Sequence, residues 1–294
     1  MLLSDRFRGP LFMVLSTGSY VVNDTMMKLA TESLPPYQTL MLRGVAALLW
    51  GMPLLFLLGH GRRLPMLFDG RVLARNLSET AAVLCFVMAL ANMPIADATA
   101  LGQVTPLVVL VGAALVFGES IAPVRWLLIA VGFAGALLVA QPTGEGISIY
   151  AVLGLANAVL CGVRDLFGRR VRANVPAMVV AMSAVVVVLA CAAIAHLVSE
   201  DWVAPPAHAL LLLAGSGFFL IFGHFFIFIA YRVGPTGVVA PFYYGFTIWA
   251  VISGLVVFGQ LPNTLAIAGI VLVVGSGLAI VLLGDRKRKL VPVS

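Results

Sequence analysis

Charged side chains are rare in this chain, and several of them fall inside long apolar runs, where a charge needs a chemical reason. Asp24 and Lys28 lie four residues apart near the end of one apolar run, and Asp165 and Arg169 repeat the pattern in another. An acid followed by a base at this spacing shares one face of a helix, which favours a local ion pair. Such pairs belong either to helix ends at a membrane surface or to the gates of a transport path.

Arg43 and Glu79 lie further inside their apolar runs. A charge at the centre of a bilayer costs roughly 2.5–3.5 kcal/mol, so each one is a candidate functional residue. Counting from helix ends gives Arg43 the same depth as Asp24, with Asp24 or Asp97 as its partner in a structural bridge or a gate. Glu79 either donates a packing hydrogen bond in its protonated form or faces a cavity, where it binds a substrate ammonium or carries a proton.

Uncharged polar side chains near mid-depth form a second set of candidates. Thr99 and Gln103 share a helix face, and Pro106 follows them, removing a backbone hydrogen bond and permitting a kink. Tyr20 and Asn157 occur singly, and each either bridges helices or contacts a ligand. Asn76 lies one turn before Glu79 on a similar face. His224 is either a satisfied core residue or a titrating group, and Tyr244 either packs as an aromatic residue or lines a cavity.

The elements that must position these residues are membrane-spanning helices. The chain is 62% hydrophobic and 10% charged, whereas soluble domains carry roughly 25% charged residues. We therefore predict an all-α integral membrane protein. Ten apolar runs are long enough to span a bilayer: 9–30, 37–59, 72–92, 95–117, 124–140, 148–167, 176–199, 206–231, 236–258 and 264–284. The connections are short and leave no room for a soluble domain.

The positions of the cations predict the orientation. Arginines and lysines concentrate in alternate connections and in the basic tail 285–294, a distribution that places both termini in the cytoplasm. We interpret the tail as an anchor to the cytoplasmic leaflet rather than a nucleic-acid-binding segment. The start of the chain has no small-residue cleavage site, so we expect the first run to be retained.

The chain also matches itself at an offset of 141 residues. "FGES" at 117–120 aligns with "FGQL" at 258–261, Asp24 with Asp165, and Gln103 with Tyr244. Each half, 1–143 and 144–284, then holds five helices. Because five is odd, the second half enters the membrane inverted, an arrangement typical of secondary transporters with a site near the midplane. Gln103 and Tyr244 therefore mark the predicted central site.

Three motifs carry a family resemblance: "NDTMMK" in the first run, "MLRG" in the second and "PIADATALGQVTPL…FGES" across the fourth. With ten spans in two halves, the chain resembles the drug/metabolite transporter superfamily, EamA type, and is most similar to bacterial exporters of amino acids, including aromatic ones. The resemblance implies ten helices around a central cavity in the bacterial inner membrane. A glutamate is usual in both halves of such proteins, whereas the second is Gln260 here.

No sequence motif indicates an enzyme, a metal site or a cofactor. The chain lacks a Walker A loop, HExxH, Cys/His metal spacing and GxSxG.

We predict export of amino acids or related amphipathic metabolites by alternating access. The alternatives are an importer of riboflavin or S-adenosylmethionine, or a non-transporting membrane protein such as a scaffold or a lipid-modifying enzyme. Expected partners are a small molecule and the bilayer but no nucleic acid. Glycines in helices five and ten suggest a homodimer.

Overall fold

The computed structural model describes residues 5–118, 121–141, 147–172, 174–234 and 236–289, and all regular structure in these ranges is helical. Short 3₁₀ segments occur at Gly61–Phe68 and Ala240–Tyr244. The α-helices are α1 (Asp5–Ala30), α2 (Pro36–Leu57), α3 (Gly70–Asn92), α4 (Ile95–Gly102), α5 (Thr105–Phe117), α6 (Pro123–Ala140), α7 (Ile149–Gly168), α8 (Ala177–Ser199), α9 (Ala207–Val233), α10 (Thr236–Val239), α11 (Gly245–Phe258) and α12 (Thr264–Lys289).

Nine stretches of the described residues are long and apolar enough to cross a membrane. They are α2, α3, the combined stretch Ile95–Phe117, α6, α7, α8, α9, the stretch Ala240–Phe258, and Thr264–Leu283 of α12. These nine candidate spans correspond to the second to tenth predicted spans. The helix α1 has sufficient length but lower hydropathy, because polar residues such as Asn23 and Asp24 interrupt its apolar sequence. The first span therefore stays a prediction.

Prolines and glycines determine where many of these helices begin and end. Proline lies at the cap or first turn of several helices, where its missing N–H costs no helical hydrogen bond: Pro35, Pro94, Pro123, Pro176 and Pro206. Gly118 ends α5 and Gly259 ends α11, with φ values of 68° and 63°. Glycine adopts this left-handed conformation without a steric penalty. Glu119 and Ser120, which complete the "FGES" motif, lie outside the described residues.

Two of the membrane-spanning stretches are broken. The helices α4 and α5 are separated at Gln103 and Val104, just before Pro106, so the kink that the proline permits is present. Pro106 has no N–H for the carbonyl of Gly102, and the hydroxyl of Thr105 donates to that carbonyl instead, at 2.7 Å. In the second half, α10 and the 3₁₀ segment Ala240–Tyr244 interrupt the chain before α11.

Helices of one half of the chain pack mainly on helices of the other. The helix α1 lies along α9, α3 along α7, and α6 along α12, while α2 contacts both α8 and α9. The broken helix α4 touches α7 and α11. Buried apolar clusters therefore combine residues from both halves, such as Leu101 of α4 with Ala158 of α7 and Val273 of α12.

The glycines of α6 and α12 are used within the chain. A Cβ atom on Gly269 would lie 2.5 Å from the carbonyl oxygen of Gly135, and one on Gly135 would lie 2.7 Å from that of Gly269. Gly132 likewise faces Leu107, whereas Gly275 has open space around it. Gly135 and Gly269 therefore allow α6 and α12 of one chain to approach closely, and the homodimer stays a prediction.

Candidate functional site

Four charged residues form a connected group, here called the inner cluster, between α3 and α7. Glu79 pairs with Arg75, one turn earlier on α3, and with Nη1 of Arg164 at 3.3 Å. Nε of Arg164 also lies 2.8 Å from a carboxylate oxygen of Asp165. The side chain of Glu79 is only 13% exposed, so this pairing neutralises an acid that is largely shielded from solvent.

Glu79 is therefore an ion-paired acid, and neither of its two predicted roles included an arginine partner. Arg75 lies one turn away on the same helix, which the sequence shows, but Arg164 reaches Glu79 only because α7 packs along α3. Sequence reasoning did not single out Arg164. Its position inside an apolar run, beside Asp165, was the available signal.

The expected ion pair between Asp24 and Lys28 is absent. Lys28 instead donates to the carbonyl oxygens of Leu90 and Met93, at 2.6 and 2.8 Å. These carbonyls lie at the C-terminal end of α3, where unsatisfied acceptors and the helix dipole attract a cation. Asp24 accepts a hydrogen bond from the side chain of Asn23 at 2.8 Å. Helical spacing places Asp24 and Lys28 on one face of α1, but the end of α3 supplies the stronger partner for Lys28.

The second predicted pair is also rearranged. Asp165 forms an ion pair with the adjacent Arg164 instead of the predicted pair with Arg169, one turn later. The guanidinium of Arg169 lies 5.4 Å from the centroid of the Phe117 ring, which it approaches as a cation–π partner. The two predicted charged pairs are therefore not equivalent in their contacts.

Arg43 of α2 is a buried cation without a direct partner among the residues that the structure describes. It is 7% exposed, its Nε has no hydrogen-bond acceptor, and no carboxylate of the described chain lies within 4.0 Å of its guanidinium. Asp24 and Glu79 interact with it electrostatically over longer distances, but Asp97 does not. Neither of the two predicted partners, Asp24 and Asp97, forms an ion pair with Arg43 in the described chain, and Asp24 acts on it only over a longer distance.

Tyr20 of α1 and His224 of α9 form a direct contact. The Tyr20 hydroxyl lies 2.7 Å from Nδ1 of His224, and the two rings meet edge to face. Gly223 makes this approach possible, because a Cβ at that position would lie 2.7 Å from the Tyr20 ring. Glu79 acts electrostatically on both residues. The structure therefore brings three predicted site residues into one region.

Asn76 has a structural position next to this region. Its side-chain oxygen accepts from Nη1 of Arg75 at 2.7 Å, and its Nδ2 donates to the hydroxyl of Ser183 at 2.7 Å. Ser183 in turn donates to the carbonyl of Leu67. These bonds connect the inner cluster to α8, so the polar groups of Asn76 are engaged by the protein itself.

The broken stretches hold polar atoms that lack partners. In the described residues, the buried side-chain atoms without a hydrogen bond include one each from Asp97, Thr99, Gln103, Tyr244 and Thr247, all in Ile95–Phe117 or Ala240–Phe258. Buried polar atoms are normally satisfied, so such a concentration marks a place where a ligand or water can bind.

The two residues that marked the predicted central site are not joined by a hydrogen bond. The Tyr244 hydroxyl is packed against Gly277 of α12, whereas Gln103 lies at the end of α4. Asn157 belongs with the α4 break, since its Nδ2 would lie 3.5 Å from a Cβ on Gly102. The predicted site is thus divided between the two breaks.

A cavity of about 300 Å³ lies beside the second break. Tyr244 and Trp249 line it together with apolar residues of α1 and α12, among them Val14 and Leu278. Tyr244 therefore lines a cavity, as expected, but this cavity is mostly apolar. It accommodates an apolar group better than a charged one.

Comparison with known proteins finds a family match over part of the chain. Residues 7–141 match the EamA-like transporter family. The chain contains an EamA domain. The resemblance to EamA-type members of the drug/metabolite transporter superfamily is thereby confirmed.

Three curated relatives illustrate the similarity. Two of them align over most of their length, and the third over nearly two thirds. The pseudopaline exporter CntI of Pseudomonas aeruginosa strain UCBPP-PA14 is 27% identical, over 92% of this chain and 95% of its own. A riboflavin transporter of Rhizobium johnstonii is 26% identical, over 92% and 90%. An S-adenosylmethionine uptake transporter of Rickettsia conorii is 25% identical, over 64% and 63%.

A solved crystal structure shares the fold. It superposes with a TM-score of 0.66 at 19% identity and covers 94% of this chain and 98% of its own. The solved structure supports the fold alone, whereas the relatives named above are all transporters. The relatives differ in the substrate and in the direction that their names give.

Proposed function

We propose that this protein is a secondary transporter of the bacterial inner membrane that exports amino acids or related small amphipathic metabolites by alternating access. The observation that carries the proposal is the pair of broken membrane-spanning stretches. Gln103, at the first break, and Tyr244, at the second, are 141 residues apart and carry buried polar atoms without partners. Discontinuous helices in corresponding places of two halves are typical of substrate sites in secondary transporters.

An inverted repeat accounts for the packing of the helices. If each helix of the first half corresponds to one of the second, the α1–α9 contact becomes the α7–α3 contact. The α2–α9 contact likewise becomes the α8–α3 contact, while α2–α8 and α6–α12 map onto themselves. The left-handed caps at Gly118 and Gly259 obey the same offset. These regularities support two five-span halves, 1–143 and 144–284, in which α1 is the first span and brings the total to ten. Residues 285–294 would then form a cytoplasmic tail.

The proposed substrate path runs between the two breaks and the interior charges. Tyr20, His224 and Glu79 form one wall, and Thr99, Gln103 and Asn157 form another near the α4 break. The inner cluster joins α3 to α7 and is a suitable inner gate, because its ion pairs can open when these helices separate. Export follows the direction of the pseudopaline exporter, which aligns over almost the whole chain.

An importer of a bulkier metabolite is the second candidate. The relatives named as riboflavin and S-adenosylmethionine transporters favour it, and the cavity of about 300 Å³ beside Tyr244 has room for an apolar ring. A membrane protein without transport activity is the third candidate.

Reconstituted vesicles test these three candidates. Liposomes that contain the purified protein are loaded with labelled leucine or phenylalanine, and the unlabelled compound is added outside. Liposomes without protein serve as the control. We expect exchange to exceed that of empty vesicles. Exchange of riboflavin but of no amino acid would favour the importer, and exchange of neither would favour a non-transporting protein. Export in cells is expected to raise tolerance to toxic amino acid analogues.

A further inference from the structure

We propose that Asp24 and Arg43 form the two ends of a subsite for an α-amino-carboxylate headgroup. Arg43 would bind the carboxylate and Asp24 the ammonium of the same ligand. This inference rests on the proposed transport function and deepens it by assigning the substrate class. It also changes the expected role of both residues from a gate or structural bridge to substrate recognition.

Arg43 has unused binding capacity. A guanidinium has five N–H donors, and in the described chain none of those of Arg43 makes a hydrogen bond or an ion pair within 4.0 Å. The residue is nevertheless only 7% exposed. A buried cation without an acceptor is costly, and a carboxylate that binds it gains strong charge-assisted hydrogen bonds.

Asp24 is oriented but also lacks a cation. Asn23 donates to one of its carboxylate oxygens at 2.8 Å, and the Ser216 hydroxyl of α9 donates to Asn23 Oδ1 at 2.8 Å. The carboxylate is thus held in place from two helices. Among the described residues no other hydrogen bond reaches it, and Lys28 donates to carbonyls at the end of α3 instead. Asp24 is 6% exposed, so water supplies little of the missing solvation.

The separation of the two charges favours a ligand that carries both signs. Asp24 and Arg43 attract each other electrostatically but lie beyond 4.0 Å, so neither neutralises the other directly. A zwitterion satisfies both groups and adds no net charge to the membrane interior, whereas a singly charged ligand leaves one group unpaired. Among the charged residues that are buried in the described chain, the third, Lys28, already has two carbonyl acceptors.

This chemistry separates the candidate substrates. Free amino acids and S-adenosylmethionine both carry an α-amino-carboxylate group, and riboflavin does not. The subsite therefore predicts recognition of the first two and rejection of the third, independently of the direction of transport.

Binding to the purified protein in detergent tests the subsite. The probes are leucine, phenylalanine, the amides of both, the N-acetyl derivatives of both, S-adenosylmethionine and riboflavin. The amides lack the carboxylate and the N-acetyl forms lack the ammonium. We expect each of these losses to weaken binding about tenfold or more, because one charge of the site stays unpaired.

Two variants should then lose opposite preferences. Arg43→Gln is expected to bind the free amino acid and its amide equally while still preferring the free amine over the N-acetyl form. Asp24→Asn is expected to show the reverse pattern. Because each variant retains one preference, misfolding cannot explain the result. Lys28→Gln removes the third buried charge and is the matched control that keeps both preferences.

Several outcomes would overturn the subsite. One is that both preferences persist in Arg43→Gln and Asp24→Asn, which would leave water as the bridge between the two charges. Another is that the unmodified protein binds riboflavin but none of the zwitterions. In that case exchange of riboflavin alone would favour the importer, so amino acid export would fall together with the subsite. Exchange of leucine by liposomes that contain either variant, with both preferences retained, would overturn the subsite alone. Absence of exchange for every probe would instead contradict the proposed function.

Discussion

Lys28 shows how a single side chain chooses between two partners. Asp24 is available one turn earlier on the same helix, but Lys28 donates to two carbonyl oxygens at the end of α3. A helix end offers several unsatisfied acceptors and a negative dipole in a region that excludes water. The cation therefore stabilises the junction of α1 and α3 and leaves Asp24 without a neighbouring cation.

Replacement of Lys28 should destabilise this junction. In Lys28→Met the carbonyls of Leu90 and Met93 lose their donor, and we expect a loss of about 2 kcal/mol in the free energy of unfolding. Lys28→Arg keeps a donor and should lose less. Thermal unfolding of the purified protein in detergent measures both. Equal melting temperatures for Lys28→Met and the unmodified protein would contradict the capping role.

The inner cluster makes a second prediction at this scale. Glu79→Gln leaves Arg75 and Arg164 without their shared counter-charge, and we expect it to lower stability by up to about 3 kcal/mol. The double variant Glu79→Gln with Arg164→Gln should recover part of this loss, because one unpaired cation is removed as well. A double-mutant cycle of unfolding measures the coupling. Additive effects of the two changes would refute a direct interaction between these residues.

The sequence predicted individual residues unevenly. Depth in an apolar run was enough to select Glu79, Arg43 and Tyr20, because a polar group at that depth needs a partner or a function. Arg164 was not selected because its contact with Glu79 depends on which helix lies beside α7. Contacts across helices require the tertiary arrangement, whereas contacts one turn apart do not.

The break between α4 and α5 illustrates how an element satisfies its own backbone. Pro106 cannot donate to the carbonyl of Gly102, and the Thr105 hydroxyl takes over that bond. We expect Thr105→Val to cost about 1 kcal/mol. In a Pro106→Ala background the cost should be smaller, since the restored backbone N–H can reach the same carbonyl. Unfolding of the four variants in one detergent gives the comparison, and equal costs in both backgrounds would contradict this account.

The contact between α6 and α12 predicts a contrast between two glycines of one helix. Gly269→Ala would place a Cβ 2.5 Å from the Gly135 carbonyl and 2.9 Å from the backbone nitrogen of Val139, so the helices must separate. We expect a loss of about 1–3 kcal/mol. Gly275→Ala meets no atom within 4 Å and should be neutral or slightly stabilising. Melting temperatures of the two variants test this, and similar losses at both positions would show that the contact is not tight.

The individual helices could be predicted better than the pairs in which they pack. The apolar runs gave nine spans that the structure contains, because length and hydropathy act within one segment. The break at Pro106 was also accessible, since proline acts locally. The pairing of α1 with α9 and of α3 with α7 was not predicted, because many apolar helix faces are compatible with one another.

At the scale of the whole molecule, the orientation in the membrane remains the central prediction. Cysteines are introduced at Arg62 and at Asp201, both exposed, in a background with Cys85, Cys161 and Cys191 changed to alanine. If both termini are cytoplasmic, a membrane-impermeant maleimide should label the cysteine at 201 in intact spheroplasts, and the one at 62 only after lysis. Labelling of 62 alone in intact spheroplasts would reverse the orientation.

The exchange of packing partners between the halves also constrains how the protein is made. During synthesis α1 emerges first, but Ser16 and Asn23 bond to Gly223 and Ser216 of α9, which leaves the ribosome only after most of the chain. Until then the polar face of α1 has to be shielded by the translocon or by water at the membrane surface. A fragment that ends after α6 should therefore be degraded when it is expressed alone, whereas the two halves expressed together from separate genes should rescue each other.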